Sequence, residues 1–330
     1  GDAASDAAAS ADAGFSAWLA SYRAGAIARG FPPAWLDSAL SGVGYQPRVI
    51  ELDRAQPDES GQRTRFSDYL ARRLTDQRVT DGRMQALAHA EVLRRIAADS
   101  GVPGGVIVAI WGMETNYGRI TGGFDLPSAV ATLAYEGRRA ALFTRELDAL
   151  VQMVGEGRAR RDELRGSWAG AFGQPQFLPS SFLAHAADGD GDGRADIWAS
   201  EADTFASIAA YLKAGGWVAG VPWGFRTLVP AGFDRATVAN PAPPATCVRP
   251  LAAHSRWLPA GEWRAKGFKA VNAAWPADDV PMSLVEPDGP GTGAFLTTAS
   301  YRAILDYNCS NFYALSVALL SDAVQYLLRP

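Results

Sequence analysis

The chain is poor in the residues that metal and nucleophile chemistry most often uses. Its 330 residues include two cysteines and three histidines. Cys247, Cys309, His89, His185 and His254 do not cluster in the sequence. That excludes the short-spaced Cys/His sets of zinc sites and leaves no parts for Cys/His or Ser/His/Asp catalysis. A basic excess is also lacking, with 31 Lys and Arg against 35 Asp and Glu for a net charge of −4. A mildly acidic chain without a segregated basic patch holds neither nucleic acid nor an anionic membrane surface. The longest apolar run, Val102 to Met113, is too short to span a bilayer and runs into Glu114. Residues 1–14 are Ala, Asp, Ser and Gly, and read as a disordered tail left after processing or trimming.

What is present is ordinary globular composition, 48% hydrophobic and 20% charged, with length enough for about two packed units. Ten Trp, ten Tyr and fourteen Phe fill cores first, and suit sugar-ring platforms second. The stretch around which the chain is organised is Gly101-Val-Pro-Gly-Gly-Val-Ile-Val-Ala-Ile-Trp-Gly-Met-Glu-Thr-Asn-Tyr-Gly118. Pro103 suits the first turn of a helix and Gly118 its end. Glu114 follows Ile107, Ile110 and Trp111 at helical spacing, which puts a carboxyl on an apolar stripe. Such a group either pairs with an arginine or caps the helix end, or it stays protonated through burial and serves as a general acid. Spacing alone leaves both readings open.

Residues 15–100 read as a helical domain, interrupted by Pro32-Pro33 and by a polar loop from Gln56 to Arg65. Helical periodicity continues from Leu126 to Val154. Gly166-Ser-Trp-Ala-Gly-Ala-Phe-Gly-Gln-Pro-Gln-Phe-Leu-Pro-Ser-Ser-Phe182 then mixes small residues with Pro turns. Its Gln174 and Gln176 are either buried hydrogen-bond anchors or ligand contacts. Asp188-Gly-Asp-Gly-Asp-Gly193 matches the opening half of an EF-hand calcium loop, but position twelve is Ala199 rather than Glu. A late ligand then falls to Glu201 or Asp203, and a metal-free Asp-Gly turn cluster is the alternative. From 222 to 299 short apolar runs alternate with Pro and Gly, as in a small β-rich insertion. The expected layout is a tail at 1–14, a helical domain at 15–100, a core at 101–221, the β-rich part at 222–299, and a closing segment at 300–330. The fold class is α+β, mainly α.

Three segments together carry a resemblance: Trp111-Gly-Met-Glu-Thr-Asn-Tyr-Gly, the Gly166 to Ser181 stretch, and Asp188-Gly-Asp-Gly-Asp-Gly-Arg-Ala-Asp-Ile-Trp. Their order and spacing resemble the membrane-bound lytic murein transglycosylase B family, from Phe15 to the C-terminus. The resemblance implies a lysozyme-like core in 101–221 and a cleft where peptidoglycan glycan strands are cut between N-acetylmuramic acid and N-acetylglucosamine. It implies Glu114 as the one catalytic acid/base, giving 1,6-anhydromuramoyl products. It makes Ser167, Gln176, Arg138, Arg139, Tyr117, Tyr211, Asn308 and Tyr313 substrate contacts. It implies a structural calcium ion held by Asp188, Asp190, Asp192, Arg194 and Asp203, and no cofactor for catalysis. It also implies a periplasmic monomer, associated with the outer membrane through an N-terminal anchor lost from the chain. An oxidising periplasm makes a Cys247–Cys309 disulfide plausible. The segment Gly293-Ala-Phe-Leu-Thr-Thr-Ala-Ser-Tyr-Arg302 departs from the family's aromatic pattern. A hydrolytic muramidase and a non-catalytic murein-binding scaffold are the competing readings.

Overall fold

A computed structural model describes residues 2–56, 64–242 and 244–329, with the main chain alone for residues 2–11. The chain divides into two compact units, each made of two stretches: 1–61 with 114–207, and 62–113 with 208–330. The continuous layout expected from composition is therefore not how the chain packs. Most of the expected Gln56–Arg65 loop, residues 57–63, lies outside the described residues.

The first unit is helical: Asp2–Ala28, Pro33–Ala39, Pro47–Arg54, Leu126–Glu136, Ala140–Gly155 and Pro179–His185. The expected disordered tail is corrected here, because the first helix already begins at Asp2. Alanine has the highest helix propensity, and this Ala-rich stretch extends a helix that Phe15, Tyr22 and Ala26 anchor in the core. Asp125 caps the helix Leu126–Glu136 by accepting from the Ser128 N–H at 3.1 Å, and Arg161 holds Asp125 in turn at 2.7 Å. The arginine and these caps keep the Asp125 carboxyl below its usual range against the opposing pull of burial.

The second unit packs the helices Phe66–Arg73, Asp76–Ala88, Ala90–Ser100, Ala299–Tyr307 and Asn311–Gln325 with a five-stranded sheet. The strands lie in the order Leu258–Pro259, Pro281–Val285, Ala294–Thr297, Gly224–Leu228, Lys269–Ala270, every pairing antiparallel. This is the β-rich part read from residues 222–299, although Val248–Ala252 within it is a short helix. Its own core is aromatic, with Phe225, Trp263, Phe268, Met282 and Leu296 buried together. Trp263 satisfies its indole N–H on the Met282 carbonyl at 3.0 Å. A disulfide joins Cys247 to Cys309 with the Cα atoms 5.5 Å apart.

Two helices continue across the divisions between units, Gly104–Thr115 and Glu201–Ala214. The first starts where expected: Val106 and Ile107 donate to the Pro103 carbonyl. Its second residue must be glycine, because a Cβ on Gly105 would sit 2.6 Å from Gln325 Oε1, which accepts the Gly105 N–H. From Val106 to Met113 every residue is buried. Among the described residues no single helix is long and apolar enough to cross a membrane.

Candidate active site and metal loop

Glu114 is the second-last residue of the helix Gly104–Thr115 and is half-buried, the first break in a run of buried positions. The chain then turns through three successive left-handed residues, Asn116 at φ 50°, Tyr117 at 61° and Gly118 at 80°. For the two non-glycine residues this conformation is strained by about 1–3 kcal/mol each, so the surroundings must hold it in place. Thr115, buried, does so twice: its Oγ1 donates to the Gln174 carbonyl at 2.8 Å and accepts the Gly118 N–H at 3.0 Å. The Thr115 carbonyl also accepts from Ile120 at 2.9 Å.

Gln174 and Gln176 take different parts. Gln174 is buried and laced to the main chain of Ile197 and Trp198, so the anchor reading holds for it. Gln176 is half-buried with φ 52°, and its amide nitrogen donates to the carbonyls of Thr121 and Gly173, each at 3.0 Å. Both amide protons are thereby used, which leaves Oε1 as an acceptor. Ser167 lies in a tight turn in which its N–H donates to Ala171 O at 2.7 Å and its Oγ accepts the Ala171 N–H at 3.1 Å. The Ser167 hydroxyl can still donate. This turn is fixed by a close backbone approach: Gly122, at φ 97°, would put a Cβ 2.3 Å from the Gly166 carbonyl carbon. Thr115 thus ties the end of the Glu114 helix to Gln174, and Gln176 fastens the same turn to Thr121 and Gly173. Thr115 was not singled out from sequence, although it sits beside Glu114 in the motif.

Tyr117 is buried. The two arginines diverge. Arg138 is drawn to the buried Asp53, donating from Nη2 to its carbonyl at 2.6 Å and from its N–H to the carboxylate at 3.2 Å. Arg139 stacks over Phe143 at 5.3 Å and is exposed. Asp53 carries no sequence signal beyond a helical spacing that also fits a solvated face.

The remaining expected contacts belong to the second unit. Tyr211 lies 4.6 Å from Tyr307, ring to ring, and donates its hydroxyl to the Asp306 carbonyl at 3.1 Å. Burial, with Asp306 adding to it, pushes its phenol up to about 12. Asn308 is exposed in the extended link between helices Ala299–Tyr307 and Asn311–Gln325, next to disulfide-bonded Cys309. Tyr313 is buried in the first turn of the latter helix, its N–H capped by Ser310 Oγ at 3.3 Å.

Asp188, Asp190, Asp192 and Asp203 offer carboxylate oxygens that all lie within 4.8 Å of one another. The late position is Asp203 rather than Glu201, and its side chain is fully buried. Gly189 and Asp196 donate to its two oxygens, each at 2.7 Å. Burial lifts the Asp203 carboxyl above its usual range despite those donors, whereas N–H groups of Gly193 and Gly191 hold exposed Asp188 below it. Four hard oxygen donors at this spacing suit a calcium ion. Arg194 sends its guanidinium to Glu163 at 2.9 Å, so its main-chain carbonyl is the only atom it has for an ion.

Residues 14–322 match the family model described as the transglycosylase SLT domain. Over 309 residues the chain is 31% identical to membrane-bound lytic murein transglycosylase B of Escherichia coli K12, covering 89% of this chain and 79% of that protein. Its fold is similar to SltB3 of Pseudomonas aeruginosa, with TM-score 0.83 and 40% identity over 94% of this chain and 79% of that one. SltB3 has been solved with NAG-NAM-pentapeptide and with NAG-anhNAM-pentapeptide. It is also similar to Escherichia coli Slt35 in complex with calcium, with TM-score 0.74 and 26% identity over 94% and 93% of the two chains.

Proposed function

The chain belongs to the transglycosylase SLT family, with its mainly helical, lysozyme-like fold, and from that premise we propose that it cuts peptidoglycan glycan strands without water. The bond broken is the β-1,4 link between N-acetylmuramic acid and N-acetylglucosamine, and the product carries a 1,6-anhydromuramoyl end. The observation that carries this reading is Glu114, a half-buried carboxyl at the end of a buried helix, followed at once by strained left-handed turns. Strain of that kind persists where a site needs a fixed geometry.

Most glycosidases divide acid and nucleophile or base between two carboxylates. Here Glu114 takes both roles in sequence. Its proton passes to the glycosidic oxygen as the C1–O bond breaks. The substrate's own acetamido group shares the positive charge at C1, with the Ser167 hydroxyl positioned to steady it. The Glu114 carboxylate then accepts the proton of the sugar's 6-hydroxyl while that oxygen bonds to C1, so the ring closes and Glu114 ends protonated. A tethered hydroxyl has a large effective molarity over bulk water. Gln176 Oε1 accepts from the sugar, and Tyr117, Arg138, Arg139, Tyr211, Asn308 and Tyr313 line further glycan contacts. That SltB3 has been held with both NAG-NAM and NAG-anhNAM peptides supports this course.

Calcium belongs to the proposal as a structural ion, held by Asp188, Asp190, Asp192 and Asp203 with the Arg194 carbonyl. A periplasmic monomer tethered to the outer membrane fits the substrate and the relatives. The deciding experiment is digestion of purified sacculi in oxygen-18 water with mass analysis of the products. Anhydro ends without label are expected. Labelled reducing ends would make the chain a muramidase, and binding without any cleavage would make it a scaffold.

A further inference from the structure

Arginines in both units are matched by acids: Arg138 by Asp53, Arg161 by Asp125, Arg194 by Glu163 and Arg235 by Glu286. Arg302, on the helix Ala299–Tyr307, is different. It is half-buried, yet no carboxylate among the described residues pairs with it. Its Nε is buried without a hydrogen-bond partner, and its Nη2 reaches Ser283 Oγ only at 3.4 Å. The nearby groups do nothing to neutralise it. Tyr301 is neutral, and His254 is buried and held uncharged, its imidazole pushed down to about 3 by burial and by the Arg302 charge itself. Burial also pulls the guanidinium down to about 10. A desolvated cation without an anion is costly to keep, and a long Ser283 contact together with one aromatic face offsets only part of that cost.

The second observation is on the adjoining surface. Trp257 is 42% exposed, while Trp111 and Trp263 are buried. The Arg302 guanidinium carbon lies 4.8 Å from the Trp257 ring centre. An indole backed by a cation, with much of its surface open to solvent, can pack against an aliphatic chain or a sugar ring while the cation takes an adjoining anion.

We propose that Trp257 and Arg302 form a binding site for a free carboxylate of the peptide stem carried by the glycan strand, the indole packing against the stem and the guanidinium pairing with the carboxylate. The site rests on the reading of the chain as a peptidoglycan enzyme. It adds a peptide-recognition element in the second unit, made of residues other than the sugar contacts already assigned. It also explains why an arginine occupies a place where no acid answers it: the anion arrives with the substrate.

The test uses the full chain with Glu114→Gln, which keeps ligands intact, and calorimetric titration with two probes, GlcNAc-MurNAc-pentapeptide and the same disaccharide without peptide. The peptide-bearing probe should bind about tenfold more tightly, the scale of a charge-assisted hydrogen bond. Adding Arg302→Gln should bring that ratio close to one with the peptide-free affinity unchanged, and Arg302→Lys should restore part of it. Trp257→Ala should reduce the ratio by a smaller factor. Arg302→Gln should melt close to its parent, since no ion-pair partner is lost and only the Ser283 and Trp257 contacts go, and this serves as the folding control. A ratio that survives Arg302→Gln overturns the site, as does equal binding of the two probes by the parent. Failure of the underlying reading would show separately, as an absence of anhydro products from sacculi treated with the unmodified enzyme.

Discussion

In the unit formed by 1–61 and 114–207, the residues around Glu114 are held by main-chain geometry: left-handed turns, a close glycine approach, and side chains such as Thr115 and Gln176 bonded to carbonyls. Beside this lies a loop of four converging carboxylates. In the other unit, Asn308 and Tyr313 flank a covalent bridge, and a buried network ties the same helix in place. There Asn311 Oδ1 accepts from the Tyr301 hydroxyl and meets His254 Nε2, both at 2.8 Å, while its amide donates to the Pro250 carbonyl at 2.7 Å. The first arrangement accumulates strain and like charge, which a cation relieves. The second accumulates buried neutral polarity, which acid or a reductant disturbs. The two units should therefore respond to different reagents.

The comparison is sharpest at Glu114, where chemistry rather than stability is at stake. Glu114→Gln should lower the release of anhydro products from sacculi by about 10²- to 10⁴-fold, the range of general acid–base contributions, with an unchanged melting temperature. Turnover within tenfold of the parent would remove Glu114 from the mechanism. Replacing both cysteines by serine should cost about 4 kcal/mol in denaturant unfolding, because the bridge spans 62 residues of chain. Hydrogen exchange should place that loss in the second unit, and faster exchange in the first unit instead would break the contrast.

Calcium should act in the opposite place. At a hundredfold excess over its dissociation constant it should add about 2.7 kcal/mol, protecting the Asp188–Asp203 segment, and Asp203→Asn should abolish the gain. Identical melting curves in calcium and chelator would refute it. The effect that is smallest near neutral pH, and grows only in acid, is the acid sensitivity of the second unit. The folded-state value of His254 is depressed from 6.5 to about 3, so the unfolded chain takes up the proton first. The stabilising contribution of neutral His254 is fully present above pH 6.5 and is lost as pH falls toward 3, at about 1.4 kcal/mol per unit. Stability measured against pH should fall less steeply for His254→Gln than for the parent, and equal slopes would contradict this assignment.

The helix bearing Glu114 was legible because Pro103, an unbroken apolar run and Gly118 are local signals that burial reinforces. The acidic loop was legible for the same reason, its acids being set two residues apart. Spacing left the late position open between Glu201 and Asp203, the resemblance implied Asp203, and the fold brings Asp203 to the cluster. The β-rich part was visible in texture, yet Val248–Ala252 folded as a helix, because a five-residue segment as short as Val-Arg-Pro-Leu-Ala carries no period of its own. The Ala-rich start was misread, since low hydrophobicity argued for disorder while propensity and the Phe15 anchor favoured a helix. The discontinuous units and the partners of Arg138 and Arg302 were beyond reach, because they depend on residues distant in sequence.

The bridge between Cys247 and Cys309 also makes a closed ring of the chain, and that ring contains four of the five strands and the helix Ala299–Tyr307. A protease that cuts once anywhere between Val248 and Asn308 therefore releases nothing. The severed ends stay within one molecule at a high local concentration, and the helix Asn311–Gln325 remains attached to the rest. A single nick in this part is silent by mass until a reductant opens the ring. The β-rich part can therefore be cut once and still stay on its chain.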